Sequence, residues 1–299
     1  MDAKPISLAQ DARQKLSAFS DGAVQAPPFV LIEPLRKAGP VVFASPHSGR
    51  CYPGAMLCRS RLDLHTLRRA EDAYVDALFS AAPSLGAPLL CANIARAYVD
   101  LNRHAQELDV DMFAGPLALP AKAASGRVQA GLGVIPRIAG DGREIYAAKL
   151  CPSEAEERLA QVYRPYHAAL EALLAATQEQ FGCALLMDCH SMPSTVRGPN
   201  APDIVLGDRF GASAKPGLTA RVEGLLRHLG YRVARNAPFA GGHITEIYGQ
   251  PKRGRYAIQL ELCRGLYMNE TSLEPSADFA SVRADMGRLI AALLEEPMP

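Results

Sequence analysis

Six short apolar runs punctuate the chain, at residues 41–45, 88–94, 184–188, 203–206, 231–234 and 256–262. Each is β-branched or unbroken and is bounded by turn residues, which predicts buried strands. Between them, apolar positions recur at steps of three and four. Residues 62–82 predict one helix, and 154–181 a second, with Leu159, Val162, Tyr166, Leu170 and Leu173 on a common face. Pro165 interrupts that second pattern and should kink or divide it, because proline lacks the N–H a helix interior needs. A third helix is expected over 218–229, ahead of a stop at Gly230, and a fourth over 277–295.

Strands alternating with helices argue for an α/β domain: a largely parallel or mixed sheet with helices on both faces, as a single-domain sandwich. No internal repeat and no shift in composition divides the chain, so residues 1–299 read as one domain. The stretch from 109 to about 145–150 is rich in Gly, Ala and Pro and has no clear period. It reads as a long excursion from the core, and such segments in compact domains often cover active sites.

Composition narrows the function classes. Of 299 residues, 48% are hydrophobic, enough for a well-buried core, and the formal net charge is only +1. A near-neutral balance gives no electrostatic reason to expect nucleic acid or an anionic membrane as partner. The densest basic cluster, 252–255, is short and reads as a solvated loop. No uncharged apolar run approaches the roughly 20 residues of a membrane helix. The opening MDAKPISLAQDARQKL lacks the basic and apolar regions of a secretory leader. Seven cysteines form no CxxC pair, and Cys183, Cys189 and Cys263 sit in apolar runs, where a thiol acts as a small hydrophobe. A reduced, cytoplasmic setting is the expectation.

The chemistry gathers at strand ends, the side on which open α/β sheets bind ligands. The first run ends in Ser45-Pro46-His47-Ser48-Gly49, the third in Asp188-Cys189-His190-Ser191, and the last carries Glu261 near its end. A lone histidine at a strand end is as a rule a structural hydrogen-bonder. Two histidines and a carboxylate brought to one rim are what a catalytic zinc site needs, with a position left for water. His47 is not followed by an HxxE glutamate, since position 50 is Arg50, so the acid must come from elsewhere. Glu71 and Asp72 in RRAEDAYVDAL are the candidates. On a helix these neighbours point about 100° apart, so at most one faces the site. In RAYVDLNRH, Arg96, Asp100, Asn102 and Arg103 crowd together directly after a strand. A guanidinium beside an amide suits a substrate carboxylate.

Taken together, SPHSGRCYP, AEDAYVDAL, RAYVDLNR, GLGVIPR, YRPYH, MDCHSMPS, FAGGHITEIYG and QLELCRGLYM resemble the N-formylglutamate amidohydrolase family, in order from about residue 40 to 270. The resemblance implies the α/β sandwich of the related zinc carboxypeptidases and aspartoacylases, with one Zn2+ held by His47, His190 and Asp72, and Glu71 as the other acid. It implies Glu261 as general base, Arg96 as the arginine that polarises the carbonyl, and Asn102 with Arg103 as the clamp for the substrate carboxylate. The implied substrate is a small N-acyl amino acid, N-formylglutamate first, and homo-oligomerisation is left open. Asp188 would then support His190 from behind, and Cys189 would face the opposite, packed side. Gly241 and Gly242 would let a loop approach the ligand, Tyr166 and His167 would pack in the core, and His243 has no assigned part. A carboxypeptidase or another deacylase is the alternative enzyme, and a non-catalytic protein that senses acyl-amino acids is the alternative of a different class.

Overall fold

The structure, a computed structural model, describes residues 26–121, 125–196 and 201–295; the opening segment on which the leader expectation rests lies outside them. Within these residues, seven strands form one mixed sheet: β1 (Phe29–Ile32), β2 (Val41–Ser45), β3 (Leu89–Ala92), β4 (Ala184–Met192), β5 (Ile204–Gly207), β6 (Val233–Arg235) and β7 (Arg255–Cys263). Their order across the sheet is β1-β3-β2-β4-β7-β5-β6. The pairs β2–β3, β2–β4, β4–β7 and β5–β6 are parallel; β1–β3 and β5–β7 are antiparallel. The six expected strands are all present. The short edge strand β1, with an alternating half-buried pattern, was not foreseen.

Side chains alternate across the sheet and build two cores. Val42, Ala44, Leu186 and Ala257 pack on one face beneath the long helical region. Val41, Phe43, Leu185, Met187, Cys189, Ile258 and Leu260 pack on the other. There they meet the helices Pro216–His228 and Phe279–Glu295, the expected third and fourth. The sandwich expectation therefore holds, with both sheet faces covered. No helix among the described residues is long and apolar enough to cross a membrane.

Two helical expectations change in an informative way. The region 152–181 is divided at Pro165 as anticipated, but by a π-helical turn, Leu159–Tyr163, between Pro152–Arg158 and Arg164–Phe181. A wider turn accommodates a residue with no N–H to give the ladder. The single helix expected over 62–82 is instead two short pieces, Leu64–Arg68 and Val75–Leu78, with a third helix, Ala82–Leu85, at its end. Glu71 and Asp72 lie in the gap, both almost fully buried. Tertiary partners override the local pattern there: the Asp72 N–H donates to the His47 carbonyl at 3.0 Å. Tyr74 then takes a left-handed conformation (φ 65°) as the chain re-enters helix. Such conformations are costly for a bulky residue and persist only where surroundings impose them.

Candidate active site

Because β2, β3, β4 and β7 run parallel, their carboxyl ends meet at one rim, and that rim carries the polar residues. The β4 strand does not stop at Asp188, as the apolar pattern suggested, but continues through His190 to Met192. Pairing with β7 over that whole length carries the polar residues along as ladder members, with His190 directly opposite Glu261. Parallel partners share a face, so Asp188, His190, Gln259 and Glu261 all project the same way, while Cys189 packs in the opposite core. His47 follows β2, and Arg96, Asp100, Asn102 and Arg103 follow β3. Gly49 fixes this corner: a Cβ there would lie 2.2 Å from the Ile94 carbonyl oxygen, so only glycine lets the two loops touch.

His47, Asp72 and His190 converge, with one ligand atom of each lying within 4.8 Å of the others. Asp72 Oδ2 is 3.4 Å from His47 Nδ1 and 3.0 Å from His190 Nδ1. The far nitrogens are held from behind: His47 Nε2 lies 2.7 Å from Asp100 Oδ1, and His190 Nε2 lies 3.0 Å from Asp188 Oδ1. The carboxylate hydrogen-bonded behind His47 fixes its tautomer and orientation, the usual support of a metal-binding histidine, whereas Asp188 lies beside His190 without a hydrogen bond among the described residues. His47 Nδ1 is buried and has no hydrogen-bond partner among the described residues. An orphaned acceptor beside a second imidazole and a carboxylate oxygen fits a divalent cation well. Glu71 is elsewhere engaged: it accepts from Tyr52 Oη at 2.8 Å and pairs with Arg68.

The surrounding charges are arranged to keep these groups in place. Arg264 Nη2 donates to Asp72 Oδ1 at 3.0 Å, leaving Oδ2 for the cluster. Burial opposes the Asp72 charge, yet the hydrogen bond with His190 and the nearby His47 imidazole hold its carboxyl well below the usual range. Burial likewise opposes the charge on Asp100, and Arg96, His47 and Arg103 hold it low. Arg96 spends Nε and Nη2 on Asp100 Oδ2, both at 3.1 Å, and turns Nη1 toward Asp72 at 3.9 Å. Glu261 is the exception among these carboxyls. Burial lifts it to about 7, against the pull of His190 and Arg96. Gln259 steadies it, donating to Glu261 Oε1 at 2.7 Å while accepting from the Gly242 N–H at 2.7 Å.

The rim opens into a cavity of about 810 Å3 whose walls include His47, Asp72, Arg96, Asn102, Arg103, His190 and Glu261. Asn102 is braced on both sides: its Oδ1 accepts from the Ile244 N–H at 2.7 Å, and its Nδ2 lies 3.2 Å from His190 Nε2. Arg103 donates to the Leu132 and Asn102 carbonyls and borders the cavity. The close approach at Gly242 is to Asn102, whose amide would lie 2.4 Å from an added Cβ. The excursion supplies one wall, through Arg127, Leu132, Pro136, Ile138, Ala139 and Gly140. His243 stands outside the lining, its ring 5.2 Å from that of His104 and 6.1 Å from that of His167. His167, pushed down to about 4 by burial, bridges Tyr248 Oη and the Leu101 carbonyl and so braces the loop that carries Asn102. Tyr166 is fully buried, as expected of a core residue.

Sequence reasoning gave no role to Asp100, Gln259 or Arg264. Gln259 had a legible cue, since it stands two residues before Glu261 on the same strand face. Asp100 sat within the charged cluster but nothing in its spacing pointed to His47. Arg264 reaches Asp72 only through the fold.

The N-formylglutamate amidohydrolase family model matches residues 39–268. An N-formylglutamate deformylase of Pseudomonas aeruginosa is 36% identical over 269 residues, covering 86% of this chain and 90% of that protein. One from Pseudomonas putida is 34% identical over 238 residues, covering 78% of this chain and 83% of that protein. The crystal structure of N-formylglutamate amidohydrolase from Ralstonia eutropha JMP134 is similar with a TM-score of 0.85 at 36% identity, covering 90% of this chain and 98% of that one.

Proposed function

The chain belongs to the N-formylglutamate amidohydrolase family, and from that premise we propose that it hydrolyses the amide of N-formyl-L-glutamate, or a close N-acyl amino acid, in a zinc-dependent reaction. The observation that carries this reading is the juxtaposition of the His47–Asp72–His190 cluster with a buried carboxyl, Glu261, lifted to about 7 on the neighbouring strand.

His47 Nδ1, Asp72 Oδ2 and His190 Nδ1 are the atoms that would hold the ion. Zn2+ bound there supplies Lewis acidity toward water and toward the amide carbonyl. The chain's own groups carry the rest. Arg103 receives the substrate carboxylate, with Asn102 holding His190 and the loop behind it. Arg96 presents Nη1 to the carbonyl oxygen, where a preorganised donor is typically worth about 3 kcal/mol as negative charge develops. Glu261 accepts the proton of the attacking water as its oxygen bonds to the carbonyl carbon. The same carboxyl then returns that proton to the nitrogen as the C–N bond breaks, releasing formate and the free amine. A carboxyl near 7 suits both halves, because it gives and takes a proton readily at neutral pH.

The test is metal analysis of the purified protein together with a panel of N-acyl amino acids assayed before and after chelation. One zinc per chain and chelator-sensitive deformylation of N-formylglutamate are expected. Full turnover by metal-free protein would overturn the zinc reading, and no turnover of any N-acyl amino acid by zinc-loaded protein would overturn the activity.

A further inference from the structure

The excursion does more than roof the cavity, because it contributes one charged side chain to the wall. Arg127 lies on the short helix Gly126–Gln129, is exposed, and borders the cavity together with Arg103. The other residues that the excursion brings to the wall, Leu132, Pro136, Ile138, Ala139 and Gly140, are uncharged. Arg96 and Arg264 are already answered by Asp72 and Asp100, and Arg103 Nε shares Asp100 Oδ2 more distantly, at 3.9 Å. Arg127 makes no ion pair and no side-chain hydrogen bond among the described residues. It lies close enough to Arg103 to push that guanidinium down, adding to the effects of burial and Arg96. Two guanidiniums that face one space and repel each other are poised for a ligand bearing two negative groups.

Resting on the reading that Arg103 takes the α-carboxylate, we propose that Arg127 is a specificity-determining residue that binds the side-chain carboxylate of the substrate, so that this cavity selects acidic N-acyl amino acids over neutral ones. The excursion positions it. Gly140 packs so closely on Arg69 that a Cβ would lie 2.8 Å from the Arg69 carbonyl oxygen, tying the wall to the loop that carries Asp72. The wall that reads the side chain and the loop that supplies a proposed metal ligand are thus in direct contact.

The experiment compares N-formylglutamate with its neutral isostere N-formylglutamine, in steady-state kinetics of the zinc-loaded wild type, Arg127→Gln, Arg127→Lys and Arg69→Gln. Calorimetric binding of glutamate and glutamine gives a readout independent of turnover. Arg127→Gln should lower kcat/KM on N-formylglutamate by roughly tenfold to a hundredfold, the range of one hydrogen-bonded charge. It should leave N-formylglutamine within a few-fold, with a parallel loss of glutamate but not glutamine binding. Arg127→Lys should recover part of the preference. An unchanged preference in Arg127→Gln, or its collapse in Arg69→Gln instead, would overturn the assignment while leaving the deformylase reading intact. Wild type inactive on both compounds would overturn that reading, and this proposal with it.

Discussion

At the scale of single residues, the roles proposed for Glu261 and for the three clustered side chains can be tested separately. Glu261→Gln keeps size and hydrogen bonding but cannot accept a proton, so turnover should fall about 10²–10⁴-fold with KM little changed. The wild-type pH profile follows from the same group. Glu261 must be ionised to act as a base, and its carboxyl is lifted to about 7, so kcat/KM should decline as pH falls and the carboxyl fills. A bound dication draws that carboxyl down, placing the acid limb at or below 7. The limb should vanish in Glu261→Gln, and its persistence unchanged would remove the assignment. Metal content tests the cluster independently of rate. His190→Ala and Asp72→Asn should each lose most of the metal measured by elemental analysis, whereas Glu71→Gln should keep it, because Glu71 is turned to Tyr52 and Arg68. Retention in Asp72→Asn with loss in Glu71→Gln would transfer the ligand to Glu71.

At the scale of elements, the sheet's register does the positioning, and a contact between loop and strand tightens it. Gly242 joins Asn102, Gln259 and Glu261: its N–H holds Gln259, and its missing side chain leaves room for the Asn102 amide. Gly242→Ala should therefore cost about 1–3 kcal/mol in chemical denaturation, the range for overpacking, and lower kcat more than a remote substitution of equal cost. A stable, fully active variant would show that the loop yields freely. The strands were legible because periodicity and turn residues report burial directly, and the two histidines stood out for ending such runs. Three features were hidden for identifiable reasons. The break at 69–74 depends on bonds to His47 and Arg264, which a local pattern cannot contain. The extension of β4 to Met192 depends on pairing with β7, since Asp-Cys-His-Ser has no strand pattern of its own. β1 was missed because FVLI is only four residues long between prolines and is held as an edge strand by pairing with β3 alone, which the local pattern does not contain.

At the scale of the whole molecule, the site draws together segments that are distant in sequence: 47, 72, 96–103, 188–190 and 259–264. Four almost fully buried carboxylates, Asp72, Asp100, Asp188 and Glu261, surround the two imidazoles. Arg264 and Arg96 answer Asp72 and Asp100 directly, and neither forms an ion pair with Asp188 or Glu261 among the described residues. In the metal-free protein His190 can supply positive charge by taking a proton. Burial works against this at His190, but the neighbouring Asp188 and Asp72 raise it well above its usual value. A ligating imidazole must be neutral, so loading the metal displaces that proton. Two outcomes follow. Calorimetry in buffers of different ionisation enthalpy should register proton release on zinc binding, and the affinity should strengthen as pH rises through the titration of His190. Because zinc held by His47, Asp72 and His190 as proposed would bind only where these distant segments are assembled, it should also stabilise the entire fold, by about 2.7 kcal/mol when free zinc is a hundredfold above Kd. Chelation should accordingly lower the thermal midpoint, and zinc should restore it in the wild type but not in His190→Ala. A midpoint indifferent to zinc in the wild type would mean that the carboxylates are balanced by the protein alone.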